Sequence, residues 1–515
     1  MNYRPKGMWV WDPWCVADCA GTVHLFHLQQ HERPEDGDWN LCPMGHAVSN
    51  DLLHWKELPS VLPPSEAVRD DDDRQAWTGC AIPHNGRINL FYTMRGSASD
   101  GRIQAIGLAR SEDGVHFERY SGNPVLRPDQ RWYCTAAAPT PGVVDCRDMI
   151  VIPAPDRPGW YGYFATRRPG ADQGEAAVIG LAWSPDLIRW EQQPPVFAST
   201  RHACVEVPDV FELDGRWYLI CLTGMVYGSL NDFTEPEWNF GTVYAVADSP
   251  RGPFVELADN SLIGTARMGG PLSLRHLEFE GGLYCMYTDR ENLGRVDHAD
   301  AHLGTLTTPK LLRTTGDRLE LAYCDRVEQL VKREIPVDPE RLRQLAGEDY
   351  SQIWPMRPLP VEFREDGAIG LERRNTFRIL PLGVAGVRSY IFEVDVTLQD
   401  AASGGVAVRM AEDPRADCDL IRLDRERGKL QFLGFRKADY SERCTIPFEA
   451  GREYRLRVVA RHEHIELYID DRLCLCVTRY RCPEGGLGLF TERGRTVFRN
   501  LRIRELDIPG PASGM

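Results

Sequence analysis

An all-β fold is predicted for this 515-residue chain, a five-bladed β-propeller followed by a C-terminal antiparallel β-sandwich. Three observations carry that expectation. A glycine turn leading into an aromatic-rich, alternating strand recurs five times in the first part of the chain. A second short element, Ser-x-Asp followed by a bulky residue, trails most copies at a similar distance. Past residue 350 strand patterning continues, but both signatures are gone.

The first signature runs Gly21-Thr22-Val23-His24-Leu25-Phe26, then Gly86-Arg87-Ile88-Asn89-Leu90-Phe91-Tyr92, then Gly159-Trp160-Tyr161-Gly162-Tyr163-Phe164. It returns as Gly215-Arg216-Trp217-Tyr218-Leu219-Ile220 and Gly281-Gly282-Leu283-Tyr284-Cys285-Met286-Tyr287, with separations of 65, 73, 56 and 66 residues. The second signature is Ser49-Asn50-Asp51-Leu52-Leu53-His54-Trp55, Ser111-Glu112-Asp113-Gly114-Val115-His116-Phe117 and Ser184-Pro185-Asp186-Leu187-Ile188-Arg189-Trp190. Asp248-Ser249-Pro250-Arg251-Gly252-Pro253-Phe254 is a weaker relative. A turn-strand unit of about 60 residues repeated five times is the pattern of a propeller blade. The blades are assigned to residues 1–323.

Residues 324–349 read as a linker, because Arg326–Arg333 and Pro339–Leu345 carry helical periodicity. Alternation returns in Ser389–Val396, Tyr454–Val459 and Ile465–Ile469, with Asp470-Asp471 as a turn into Leu473-Cys474-Leu475. This is the pattern of a sandwich over 350–508. The Pro- and Gly-containing tail, 509–515, is expected to fray.

Composition narrows the function. The net charge is −15, and an acidic surface does not suit a nucleic-acid partner. There is no apolar run of about 18 residues and no recognisable secretory leader, so no membrane association and a cytoplasmic location are expected. The 15 cysteines then read as reduced thiols. Cys15/Cys19 and Cys474/Cys476 lack histidines at ligand spacing, so neither a metal nor any other cofactor is expected. Arg69-Asp70-Asp71-Asp72-Asp73-Arg74 reads as a solvated loop, without the spaced oxygen ligands of a cation site.

A propeller gathers the inner strands of all blades at a central funnel, so carboxylates in unusual contexts on those strands are the first candidates. Asp12, in Met8-Trp9-Val10-Trp11-Asp12-Pro13-Trp14, stands among indoles that would dehydrate it and that suit sugar rings; an Asp-Pro turn is the plainer alternative. Asp148 follows Arg147 inside an otherwise strand-like run, Val143–Val151. Glu206 lies in His202-Ala203-Cys204-Val205-Glu206-Val207-Pro208-Asp209. If that segment is a strand, His202, Cys204 and Glu206 share one face, and Pro208 marks an edge or a strand end.

At these residues the sequence resembles glycoside hydrolase family 32, the invertases, inulinases, levanases and related fructan enzymes. The most specific match is Gly45-His46-Ala47-Val48-Ser49-Asn50-Asp51-Leu52-Leu53-His54-Trp55-Lys56-Glu57-Leu58-Pro59. Trp77-Thr78-Gly79-Cys80-Ala81 resembles the family's aromatic-Ser-Gly-Ser-Ala element. Cys146-Arg147-Asp148 resembles its Arg-Asp-Pro motif, and Glu206-Val207-Pro208-Asp209 its Glu-Cys-Pro-Asp motif. The resemblance implies a retaining hydrolase of β-fructofuranosidic linkages that needs no cofactor. Asp12 would be the nucleophile, Asp148 the transition-state stabiliser and Glu206 the general acid/base. Arg147 would share with Asp148 the holding of ring hydroxyls.

Departures surround that triad. Trp11 and Trp14-Cys15 stand where the family has Asn and Asn-Gly. Leu28 takes the place of a Gln, with Gln29 one position later. Met149 and Val207 replace a Pro and a Cys. This marks a divergent branch, for which a fructan, a fructose dianhydride or another furanoside is as fitting a substrate as sucrose. Trp11, Trp14, Trp39 and Trp77 are candidate sugar-stacking walls, Gln29 a candidate sugar ligand, His202 a support for Glu206, and Arg267 a rim residue. Cys146 and Cys204 are expected to line the same faces as small buried groups. A furanosidase or fructosyltransferase of other specificity, and a non-catalytic sugar-binding protein, are the competing readings. In each, the partner is a small carbohydrate.

Overall fold

The computed structural model describes residues 3–65, 72–135, 144–170, 177–199, 201–224, 238, 240–265, 270–297, 299, 301–348, 360–413, 417–435, 441–482 and 484–508. Strands dominate them, so the all-β expectation holds. Three consecutive sheets have four antiparallel strands each, paired in chain order. They begin on Trp77–His84, Arg147–Pro153 and Glu206–Leu213. Residues Met8–Val61 form a further antiparallel run of four strands, and Gly270–Thr315 another in which Gly282–Asn292 pairs with both Ala301–Leu306 and Lys310–Thr315. The first and fifth runs meet, because Val10 pairs with Gly304 and Tyr3 bridges Leu306.

Both repeat signatures have a physical basis. The five repeat glycines all take positive φ, between 72° and 117°, a region that costs glycine nothing. In three of the turns the preceding residue is left-handed as well: Asn85-Gly86, Asp214-Gly215 and Glu280-Gly281. That pair of dihedrals makes the type I′ hairpin whose twist matches antiparallel strands. The Ser-x-Asp element closes the turn between third and fourth strands. Asp51 Oδ1 accepts from Ser49 Oγ (3.0 Å) and from the Leu53 and His54 N–H groups (both 2.8 Å). Asp113 and Asp186 repeat this with Ser111, Val115, His116 and with Ser184, Ile188, Arg189. The weaker relative departs from this scheme: there the Arg251 N–H donates to Ser249 Oγ.

Each first strand also carries a register shift against its neighbour at a similar height. The shifts fall between Trp11 and Trp14, Trp77 and Gly79, opposite Tyr163–Ala165, between Glu206 and Asp209, and between Leu272 and Arg275. Such bulges re-aim side chains. Below them the five strands jointly line one cavity of about 510 Å³, to which Val16, Ile82, Ile152, Phe211 and Leu277 contribute one wall each.

The region expected to be a helical linker is only partly helical. Asp325–Leu330 forms a short 3-10 turn and Pro339–Ala346 an α-helix capped by Asp338, whose carboxylate accepts from the Glu340 and Arg341 N–H groups. Val331–Glu334 is a strand, because it finds an edge to pair with in the C-terminal strand Gly486–Leu506. That 21-residue strand also pairs with Ile369–Pro381, Ser389–Leu398 and Ser403–Met410. The Asp470-Asp471 turn has both residues left-handed, as a type I′ turn requires. The tail lies outside the described residues.

Two buried ionic clusters were not foreseen. Asp72, expected in a solvated loop, is 3% exposed; it accepts from the Tyr92 hydroxyl (3.0 Å) and pairs with Arg119 (2.6 Å). Residues 69–71 of that loop lie outside the described ones. Between the early and late parts of the chain, fully buried Arg461 pairs with Asp289 (2.7 Å) and Glu466 (2.6 Å), and Lys310 reaches Glu466 at 2.9 Å. Among the described residues no helix is long and apolar enough to cross a membrane.

Candidate active site

Above the bulges lies a cavity of about 260 Å³ lined by Asp12, Thr78, Arg147, Asp148 and Glu206, by Trp11, Trp77, Leu28, Leu272 and Leu303, and by Arg290. The three acids chosen from the sequence are therefore together, each delivered by a bulge of a different sheet. Asp12 and Asp148 are themselves left-handed (φ 45° and 59°), as are Val207 and Ser273 at the corresponding places of two other strands (48° and 57°). Left-handed backbone strains a non-glycine residue, and a β-branched one such as Val207 most. In the second sheet the backbones approach too closely for any side chain: a Cβ on Gly79 would lie 1.9 Å from the Phe91 carbonyl oxygen.

The strain is held by a hydrogen-bond framework. Thr78 Oγ1 donates to Asp12 Oδ2 at 2.5 Å, and Ser273 donates to the other oxygen. The Asp148 N–H donates to Thr93 Oγ1 (3.0 Å), while Asp148 Oδ2 accepts from the Val207 N–H (3.1 Å). Thr93, Thr166 and Thr223, one on each neighbouring strand, donate to the carbonyls of Thr78, Asp145 and Cys204 just ahead of the bulges. Beneath the acids, buried Arg275 donates to the carbonyls of Pro208 and Asp148, the latter at 3.1 Å, and so ties two bulges together. Asp209 is fully buried and accepts from His276 Nδ1 at 2.8 Å.

Arg147 spans the acids. It contacts Glu206 at 2.7 Å, Asp145 at 2.8 Å and Asp148 at 3.5 Å. Its fork is occupied by carboxylates of the protein itself, which makes it a clamp on the site. Burial raises the Asp12 carboxyl above its ordinary range; the Ser273 and Thr78 hydroxyls oppose this and the charge of Glu206 adds to it. Asp148 is pushed up to about 7 by burial, against the pull of Arg147 and with further push from Glu206 and Asp12.

A stability prediction follows from Asp148. Its folded value lies above the ordinary 3.8, so the folded state binds the proton more tightly. That stabilising contribution is complete in acid and is lost as pH rises from about 4 to about 7. Asp148→Asn, which keeps an acceptor for the Val207 N–H, is expected to melt above the parent at pH 8, with a gap that closes toward pH 4. A gap constant across that range in thermal scans would contradict the assignment.

The other predicted residues divide. Trp11 and Trp77 line the cavity. Trp39 is at its edge, its ring stacked on Trp77 at 6.3 Å with the Arg95 guanidinium 3.7 Å from the Trp77 ring centre. Trp14 does not line it: the bulge at Asp12 turns Trp14 into the core against Phe26. Gln29 is turned away by strand alternation and donates to Pro43 O (3.1 Å) and Ser60 Oγ (3.2 Å), which leaves Leu28 facing the cavity. His202 is buried outside it, because the strand begins only at Glu206 and the expected shared face does not extend that far. Cys204 does share the face, 3.8 Å from Glu206, whereas Cys146 is in the core. Arg267 lies outside the described residues.

Sequence reading missed Ser273, Arg275, Arg290 and Thr93, and took Thr78 only as part of a motif. One signal was present. Thr78, Val207 and Ser273 each stand eight residues before a repeat glycine, Gly86, Gly215 and Gly281, so the spacing marks the bulge.

Residues 3–253 match the N-terminal domain of glycosyl hydrolases family 32. A sucrose-6-phosphate hydrolase of Zymomonas mobilis is 34% identical over 232 residues, covering 42% of this chain and 41% of that protein. The first curated relatives are thus matched over about two fifths of their own length. A levanbiose-producing levanase of Bacillus subtilis is 26% identical over 98% of this chain and 90% of its own. Among solved structures, a sucrose-6-phosphate hydrolase from Lactobacillus gasseri superposes with a TM-score of 0.71 at 14% identity, over 98% of this chain and 93% of that one. An exo-inulinase from Aspergillus awamori gives 0.70 at 15% identity, over 98% of both chains. These likenesses establish a shared fold along the chain. With the four motifs and the triad in one cavity, the match over residues 3–253 identifies that part of the chain as the N-terminal domain of glycosyl hydrolases family 32.

Proposed function

We propose that the protein is a retaining glycosidase that cleaves β-fructofuranosidic linkages. Asp12 attacks the anomeric carbon, Glu206 protonates the leaving oxygen and later activates water, and Asp148 stabilises the oxocarbenium-like state between them. The observation that carries this reading is the environment of Asp12: a carboxylate with both oxygens held by hydroxyls, aimed into a cavity that also holds Glu206 and Asp148. Burial first, and the charges of Glu206 and Asp12 after it, hold the Asp148 carboxyl up at about 7, so the cavity keeps a proton near neutrality. The chemistry needs no metal and no organic cofactor.

The architecture belongs to the same proposal. Residues 1–323 form a five-bladed propeller, supported by five repeats, five bulges and one cavity shared by five strands. Residues 350–508 form a β-sandwich behind the connecting segment 324–349. At about 260 Å³ the cavity is below the usual size for a drug-sized ligand, which favours removal of one terminal unit at a time. The partner is a small carbohydrate. A cytoplasmic location, where unbridged thiols stay reduced, completes the reading and is testable by cell fractionation.

Proton NMR during hydrolysis of sucrose, 1-kestose, inulin and levan is the test. Release of β-fructofuranose ahead of its mutarotated forms supports the proposal. First release of the α anomer means inversion and removes the nucleophile role from Asp12.

A further inference from the structure

Glu206 is followed by a stretch that the strand ladder does not hold. Glu206 pairs with Leu222 and Asp209 with Ile220, so Val207 and Pro208 fall in the bulge between them. Val207 is left-handed at φ 48°, a strained setting for a β-branched residue, and Pro208 has no N–H to give. The direction of the Glu206 side chain therefore depends on what restrains this stretch from outside its own sheet. The Val207 N–H is taken up by Asp148 Oδ2 at 3.1 Å. The next two restraints come from the fifth strand run.

Arg275, 4% exposed, donates through one terminal nitrogen to the Pro208 carbonyl and through the other to the Asp148 carbonyl at 3.1 Å. His276, next in the chain, grips Asp209 twice: its N–H donates to Oδ2 at 2.5 Å and its Nδ1 to Oδ1 at 2.8 Å. Both residues line the lower cavity, beneath the one that holds the acids. Among the described residues Arg275 forms no ion pair, and a buried cation without a carboxylate costs stability. What Arg275 supplies is geometry, because a planar fork fixes two carbonyls relative to each other.

We propose that Arg275 and His276 are positioning residues for the general acid/base. Through Pro208 and Asp209 they set the direction of Glu206, and through the Asp148 carbonyl Arg275 fixes its placement against the stabiliser. This rests on the glycosidase reading above and adds to it the residues that make its acid effective. The consequence is specific. A displaced nucleophile slows every fructoside alike, whereas a displaced acid slows most those whose leaving oxygen needs a proton. General acid–base catalysis contributes about 10²–10⁴-fold, and a misplacement of about 1 Å costs about 10²-fold.

The experiment measures kcat/KM on phenyl and 4-nitrophenyl β-fructofuranoside for the intact protein, Arg275→Met and His276→Phe. The nitrophenolate leaves without a proton, and the phenolate leaves poorly without one. Arg275→Met is expected to lower kcat/KM by about 100-fold on the phenyl compound and by about 10-fold or less on the nitrophenyl one, so that their ratio changes by about 10-fold or more. His276→Phe keeps a ring against Phe211 and the backbone bond to Asp209. It is expected to move the ratio in the same direction by about threefold or more. Residues that only support the fold would change the amount of folded protein and move both substrates by one factor. A ratio within about threefold of the parent's in every variant that folds overturns the inference and leaves the glycosidase reading standing. Failure of both variants to fold makes the pair structural and overturns it too. If the parent hydrolyses neither compound, the glycosidase reading falls and the inference with it.

Discussion

Asp12→Asn is expected to lower kcat on any fructoside the protein hydrolyses by about 10⁴-fold or more, with KM little changed. Loss of a residue that forms the covalent intermediate removes a unit of the mechanism, and such losses are of this order. The amide nitrogen cannot accept from a hydroxyl, so one of Thr78 and Ser273 must turn its proton away and accept from the amide while the other keeps donating. The fold should tolerate this: melting temperature is expected to stay within a few degrees of the parent. Steady-state kinetics beside a thermal scan check both halves. A variant that keeps a tenth of the parent kcat would rule out Asp12 as nucleophile, and one that collapses would make Asp12 structural.

The largest effect on stability is expected at Arg461. Its guanidinium is fully buried against Asp289 and Glu466. Replacing it with Met leaves two carboxylates without their cation, and breaking a buried pair in this way costs about 3–5 kcal/mol. Lys310 moderates the loss at Glu466 only. The urea midpoint of Arg461→Met should therefore fall steeply, and adding Asp289→Asn, which leaves Glu466 to Lys310, should recover much of it. The acid limb reports on the same cluster. Burial alone would raise Glu466, but Arg461 and Lys310 hold it at about 2. Its stabilising contribution is full above the ordinary 4.5 and is lost as pH falls toward 2. In Glu466→Gln that part of the acid transition should vanish.

The parts of the fold legible in the sequence were those written in local chemistry. Glycines at left-handed turns and Ser-x-Asp turns recur because each solves a local backbone problem, so the five units could be read before any contact was known. Asp12, Asp148 and Glu206 were legible for a related reason: each stands where apolar or proline neighbours make a plain surface charge an unlikely use of the position. What escaped was set by register. Trp14 was chosen for its indole, Gln29 for its place beside a family position and His202 by simple alternation, and a bulge, a one-residue phase and a late strand start each reversed the outcome. Ser273, Arg275 and Arg290 come from the fifth strand run, where only the spacing of Ser273 to Gly281 marks any of them. Val331–Glu334 is a strand only because a distant edge accepts it.

The hydrogen bond from Ser273 to Asp12 spans 261 residues of chain. On a ribosome adding roughly 5–20 residues per second, Asp12 emerges long before its second hydroxyl partner exists. For that interval the nascent chain carries an acid whose surroundings are unfinished, and the strand that pairs with Val10 has not been made. The surroundings of Asp12 are therefore completed late in synthesis, when the fifth run docks on the first. A chain stopped short of Ser273 carries all three acids but lacks the hydroxyl that holds the second oxygen of Asp12.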